Sequence, residues 1–260
     1  MSRVPLIPAL LAAGLLAGCD RPALKVCADP NNLPFSNAKG EGFENKIVGL
    51  LASRLGRKVE WVWWAQHRGF AKKTLDSGDC DLWPGVASGM SGFAATAPYY
   101  RSTYVFLTRA DHGPPIRSFD DARLKGLKIG IQMIGEDGMH TPPAHALAVR
   151  GLAANLRPYV LDDDYGRPNP PASIVEAVDK GDIDAAVVWG PLAGYFASRA
   201  EHPMTIEPVP TEGSSAAPMT FDIAMGVRAT DKRLLNSLNT ALASARPDIG
   251  RILVTYHVPT

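Results

Sequence analysis

The strongest constraint in this sequence is a unit of helix, turn and strand that occurs twice. Lys72 to Ser77 ends an amphipathic stretch, and Gly78-Asp79-Cys80-Asp81 then opens an apolar run through Val86. Far downstream, Ala172 to Lys180 ends in the same way. There Gly181-Asp182-Ile183-Asp184 opens a second apolar run through Trp189. A glycine can close a helix in the left-handed conformation, and a polar turn then admits a core strand. The four-residue pattern alone is weak. Set within two similar α/β units, it implies two lobes of related build.

The surrounding segments fill in both units. Leu24 to Ala28 reads as a buried strand, and residues 29–37 read as a polar, proline-broken loop. Phe43, Ile47, Leu50, Leu51 and Leu55 fall at helical spacing, with Gly56 as the stop. Lys58 to Trp63 is a strand, Arg68 to Ser77 a helix, and Asp81 to Val86 a strand. The second unit reads Leu127 to Ile131 as strand, residues 142–154 as helix, Pro158 to Leu161 as strand, Ala172 to Lys180 as helix and Ile183 to Trp189 as strand. Alternation of this kind implies α/β lobes with mainly parallel sheets flanked by crossover helices. Tyr104 to Thr108 and Phe221 to Val227 are apolar enough to be two connecting strands. Asp231 to Ala245 and Ile249 to Tyr256 read as two closing helices. Residues 24–108 and 221–260 therefore form lobe 1, and residues 109–220 form lobe 2. A cleft is expected between them, at the strand C-termini.

The first residues are read separately. Val4 to Ala17 is apolar but too short to span a bilayer, which takes about 20 residues, and it follows Arg3 as a secretory signal would over residues 1–18. Leu16-Ala17-Gly18-Cys19 resembles the lipobox of bacterial lipoproteins, which implies lipid on Cys19 and a short tether over residues 19–23. The alternative is an ordinary small-residue cleavage site beside a chance cysteine. Asp20, by the same resemblance, implies retention at the inner membrane on the periplasmic side. In that oxidising compartment Cys27 and Cys80 are expected to pair, a crosslink worth roughly 4 kcal/mol by chain entropy; two buried thiols are the other reading. The 27 basic and 26 acidic side chains leave a net charge of +1. That balance disfavours a nucleic-acid partner.

Several strings carry a family resemblance. Val26-Cys27-Ala28-Asp29-Pro30-Asn31-Asn32-Leu33-Pro34-Phe35-Ser36-Asn37, Gly42-Phe43-Glu44-Asn45-Lys46-Ile47, Pro98-Tyr99-Tyr100-Arg101-Ser102-Thr103-Tyr104-Val105-Phe106 and Val188-Trp189-Gly190-Pro191-Leu192-Ala193-Gly194-Tyr195-Phe196 are the informative ones. They resemble the substrate-binding proteins associated with quinoprotein (methanol and other alcohol) dehydrogenases, over nearly all of residues 24–258. The resemblance implies the two-lobed type II periplasmic binding-protein fold and a binding role rather than catalysis. It also implies either transport of a solute, with an ABC permease as partner, or support of the dehydrogenase or its cytochrome by contact. Pyrroloquinoline quinone is then a possible bound ligand. The amino-acid binders of this fold carry an arginine where Ser88 to Phe93 has none, and an aspartate where Trp189-Gly190 stands, so an α-amino acid ligand is disfavoured.

A flat ligand with three carboxylates needs planar surfaces and positive charge. Trp83 and Trp189, near strand ends, could line the cleft or fill the core. Arg68, at a helix start, and Arg101, before the connecting strand, could grip carboxylates or lie solvated on the surface. Asn31, Asn32 and Asn37 offer hydrogen bonds from the first loop, and Phe35, Gln66 and Gly85 complete the candidate set. Glu136 and Asp137 near a lobe 2 helix start count against an anion. Asp162-Asp163-Asp164 reads as a solvated acidic loop sooner than a hard-cation site. No HExxH, phosphate-loop or nucleophile-elbow motif is present, so no catalytic or metal-binding residue is assigned.

Overall fold

A computed structural model describes residues 21–66, 69–134, 139–160, 166–210 and 217–260. Cys19 and the signal segment, Arg68, Glu136, Asp137 and Asp162 to Asp164 lie outside the described residues. In the first half of the chain, β1 (Leu24–Ala28), β2 (Asn31–Asn32), β3 (Ser36–Asn37), α1 (Phe43–Arg54), β4 (Val59–Trp63), α2 (Phe70–Thr74), β5 (Leu82–Ala87) and β6 (Ala94–Ala95) precede β7 (Tyr100–Arg109). Next come β8 (Ile129–Ile134), β9 (Met139–His140), α3 (Pro142–Ala148), β10 (Leu156–Val160), α4 (Ser173–Lys180), β11 (Ala185–Trp189), α5 (Gly190–Ala197) and β12 (Met204–Pro208). The chain closes with β13 (Thr220–Val227) and α6 (Lys232–Thr255).

The strands run in the spatial order β10-β8-β11-β7-β13-β5-β1-β4. Each lobe centres on a parallel trio. In lobe 1, β1 pairs with β4 and β5; in lobe 2, β8 pairs with β10 and β11. The join is antiparallel. Residues 100–103 of β7 pair with β13, with Tyr100 opposite Ile223 and Thr103 opposite Thr220. From Tyr104 onward β7 pairs instead with β11, so that Tyr104 faces Trp189. One strand thus belongs to both lobes, and β13 returns beside it.

Apolar residues at helical and strand periods decide the packing. Phe43, Ile47, Val48 and Leu51 of α1 are buried against Leu238, Leu242, Ala245, Ile249 and Leu253 of α6. The lobe 2 sheet is covered on its two faces by separate clusters, one around Ile129, Ile131 and Leu147, the other around Ile174, Val178 and Leu192. A disulfide joins Cys27 on β1 to Cys80 before β5, with Cα atoms 5.6 Å apart, inside a small cluster with Phe70, Leu75 and Trp83.

Some local expectations are corrected. The two closing helices are one: α6 runs through Pro247. Proline forfeits one hydrogen bond and crowds the preceding turn, yet buried Ala245, Ile249 and Leu253 on both sides keep the helix seated on the core. Residues 142–154 are α-helical only to Ala148; the chain turns at Gly151 with φ +75° and then makes a short 3-10 helix, Ala153–Asn155. The loop over residues 29–37 contains the hairpin β2–β3. Strand β12, which the sequence reading did not assign, pairs along β7.

Candidate functional site

A cavity of about 360 Å³ lies between the lobes. The two connecting strands form its floor. Tyr100 and Tyr104 from β7, with Phe221 and Ile223 from β13, all line it. Their even spacing puts them on one face of each strand. Lobe 1 contributes Asp29, Asn31, Asn32 and Phe35, then Glu44 from α1, Gln66, and Pro84, Gly85, Ala87 and Met90 around the end of β5. Lobe 2 contributes Gln132, Trp189 and Leu192.

Of the ten ligand residues expected from sequence, Asn31, Asn32, Phe35, Gln66, Gly85 and Trp189 line this cavity. Three others do not. Trp83 is only 9% exposed and packs against Phe70 and Phe93, with ring centroids at 5.0 and 5.7 Å. Alternation along β5 turns its large ring into the lobe 1 core. Arg101 is on the surface, bound through two 2.7 Å hydrogen bonds to Asp222 on the neighbouring strand. Asn37 is buried beneath the loop, donating to Glu41 Oε2 and accepting from the Glu41 N–H. Arg68 lies outside the described residues.

The polar groups of the cleft are bonded to one another. Asp29 accepts from the N–H groups of Asn31 and Gln66, both at 2.8 Å. Asn32 donates to Gln66 Oε1 at 3.3 Å. Asn31 reaches across to lobe 2. Its Nδ2 donates to the Arg167 carbonyl at 2.7 Å, and its Oδ1 accepts from the Asn169 N–H at 2.9 Å. Buried Gln132 fixes Trp189 from behind by accepting its backbone N–H at 2.7 Å.

Glu44 has the least ordinary environment. It is 5% exposed, and its carboxylate accepts from the Tyr99 hydroxyl at 3.1 Å. That hydroxyl accepts in turn from the Gly85 N–H at 3.2 Å. Gly85 has φ +75°, and a Cβ there would sit 2.4 Å from Glu44 Oε1, so glycine makes the space the carboxyl occupies. Burial pushes the Glu44 carboxyl up to about 7, and the Tyr99 hydrogen bond only partly opposes it. Burial likewise raises the Tyr99 and Tyr100 hydroxyls well above their usual range, and Tyr104 to about 12.

Among the described residues, the lining carries two carboxylates and no Lys, Arg or His. These described residues offer an anionic ligand no counter-charge, and burying an anionic group without one is costly. Neutral or cationic groups fit better, against the aromatic faces of Tyr100, Tyr104 and Trp189. The sequence reading missed Glu44, the tyrosines and Phe221. Spacing on the two connecting strands could have found the aromatics, whereas nothing local marks Glu44 as facing a cleft.

Residues 24–257 match the family model of bacterial extracellular solute-binding proteins, family 3. The chain is 30% identical to protein MoxJ of Methylorubrum extorquens over 254 residues, which covers 92% of this chain and 82% of that protein. Its fold is similar to the crystal structure of the periplasmic binding protein XoxJ from Methylobacterium extorquens AM1. The TM-score is 0.74 at 34% identity, covering 91% of this chain and 98% of the other. The crystal structure of MxaJ from Methlophaga aminisulfidivorans MPT is similar at a TM-score of 0.78 and 26% identity, covering 91% and 99%.

Proposed function

The chain belongs to the bacterial extracellular solute-binding proteins, family 3, and from that premise we propose that it is the accessory binding protein of a quinoprotein methanol dehydrogenase system. In this reading lipid on Cys19 holds it at the inner membrane, and it supports the dehydrogenase or its cytochrome by contact. It does not deliver quinone to an ABC permease. The likeness to MoxJ, XoxJ and MxaJ supports the assignment to that system.

One observation favours contact over transport. The lobes are bridged by the protein's own hydrogen bonds, from Asn31 to Arg167 and Asn169, around a cavity whose described lining offers an anion no counter-charge. A transport protein signals occupancy when a ligand supplies the contacts that favour closure. Here the protein supplies part of that closure itself, which weakens the link between closure and ligand. The acidic, aromatic cleft also suits a donor-bearing or cationic group of a protein partner better than free quinone.

The test uses the mature protein with purified dehydrogenase and its cytochrome. Co-purification with the dehydrogenase, independent of added pyrroloquinoline quinone, is the expected result. Titration with the quinone, followed through Trp189 fluorescence and heat, should show no micromolar binding. Tight quinone binding without association to the dehydrogenase would replace this reading with solute transport, and Arg68→Ala would then identify the carboxylate grip.

A further inference from the structure

The approach of the chain to lobe 1 is docked rather than loose. Arg57 donates through Nε to the Pro22 carbonyl at 2.7 Å and through Nη2 to the Ala23 carbonyl at 2.8 Å. Arg21 donates to the Leu55 carbonyl, at the C-terminal end of α1, at 2.7 Å. These bonds fix the entry point at the base of β1. The strand then runs away from it for five residues, roughly 16 Å, to Asp29 in the cleft. The base of lobe 1 and the cleft are therefore opposite poles, and lobe 2 lies beyond the cleft.

The base is also where cations gather. Arg21, Arg57 and Arg233 line a depression there, together with Asp81 and Asp231. Both carboxylates are already covered: Asp81 by Arg57 at 3.5 Å and Arg228 at 3.0 Å, Asp231 by Arg228 at 3.6 Å. Lys58, Lys232 and Arg233 are exposed and form no ion pair among the described residues. Cys19 precedes Arg21 by two residues, a reach of about 7 Å. Lipid at that position would bring this cationic face within a Debye length of the headgroups.

We propose that the base of lobe 1 rests on the anionic surface of the bilayer, and that the cleft and lobe 2 are presented away from it, toward soluble partners. The proposal rests on the lipid reading of Cys19, which is tested separately by the mass of the mature N-terminal peptide. It explains how a protein on so short a tether could serve a dehydrogenase in the periplasmic space. It also predicts that an importer in the same membrane would meet the wrong pole.

The full lipidated protein is reconstituted in vesicles of phosphatidylethanolamine with phosphatidylglycerol. Donor fluorophores are placed on Ser237→Cys at the base or on Ala154→Cys in lobe 2, with acceptor on the lipid headgroups. Energy transfer from position 237 should exceed that from 154 several-fold. It should fall when Lys58→Glu and Arg233→Glu are combined, or when phosphatidylcholine alone is used. Equal or reversed transfer in lipidated protein overturns the orientation while leaving the anchor intact. Transfer insensitive to charge reversal and to lipid charge overturns the electrostatic contact. An unlipidated Cys19 removes the anchor and the orientation with it.

Discussion

Lobe 1 and lobe 2 solve the base of their sheets identically and differ at the other end. In lobe 1, Gly78 turns with φ +84°, Asp79 N–H bonds to the Thr74 carbonyl, and the Asp81 carboxylate accepts from the Lys25 N–H at 3.2 Å. In lobe 2, Gly181 turns with φ +77°, Asp182 N–H bonds to the Ala177 carbonyl, and Asp184 accepts from the Lys128 N–H at 2.7 Å. The second aspartate of each G-D-x-D turn thus ties its strand to the start of the central strand. At the strand C-termini the likeness ends. Lobe 1 presents Asp29, two asparagines, Glu44 and Gln66 to the cavity, and lobe 2 presents Gln132, Trp189 and Leu192. The shared base builds the scaffold, and the unshared tops carry recognition, as expected where loops rather than frameworks bear function.

The largest break in this comparison comes from the x position of the turn. Cys80 is crosslinked to Cys27, whereas Ile183 simply packs in the lobe 2 core. Cys27→Ser with Cys80→Ser should cost lobe 1 about 4 kcal/mol, on a loop of 53 residues. Urea unfolding followed by exchange protection in each lobe should show lobe 1 opening first.

Glu44 makes the next difference, since among the described residues lobe 2 lines the cavity with no carboxylate. Its carboxyl rises from 4.5 to about 7 in the folded protein. The folded state therefore holds this proton more tightly than the unfolded chain, and the associated stability is fully present below pH 4.5. It is lost as pH rises toward and through 7. The loss amounts to roughly 3 kcal/mol at alkaline pH. Glu44→Gln should remove most of that dependence, so denaturation midpoints of the two proteins compared at pH 5 and pH 8 should diverge at the higher value.

Smaller effects test the equivalence of the two bases. Asp81→Asn and Asp184→Asn should each weaken one strand-end hydrogen bond, at about 1 kcal/mol. Asp81→Asn should cost more, because Arg57 and Arg228 lose their carboxylate, while among the described residues no arginine pairs with Asp184. Thermal unfolding of the two variants ranks them directly. Asn31→Ala should have the least effect on stability but should loosen the lobes by about 1 kcal/mol. Small-angle scattering should then show a larger radius of gyration than in the parent protein.

Much of the scaffold was legible because its signals are local. Apolar spacing marked α1, and glycines marked the ends of α1 and α4. The G-D-x-D turns marked the entries to β5 and β11. The two apolar stretches that became β7 and β13 were visible as connecting strands. Local spacing divides α6 into two segments, whereas burial of Ile249 and Leu253 against distant residues keeps it continuous through Pro247. Trp83 and Trp189 show the same limit at the site. Both lie on the apolar strand after the same turn, Trp83 as the second residue of β5 and Trp189 as the last of β11, yet Trp83 enters a core with Phe70 and Phe93, and Trp189 enters the cleft beside Tyr104 and Phe221.

The sequence by itself determined two α/β units, their common turn, the cysteines able to crosslink and the strands able to connect the lobes. Each of these depends on neighbours within a few turns of chain. Only the tertiary structure decided which side chains meet in the cleft. Glu44, Gly85 and Tyr99 come from separate elements, and Asn31 meets Arg167 and Asn169 only when the lobes approach. Such contacts depend on sheet register and lobe angle, which are set by the summed packing of the whole chain and written in no single segment.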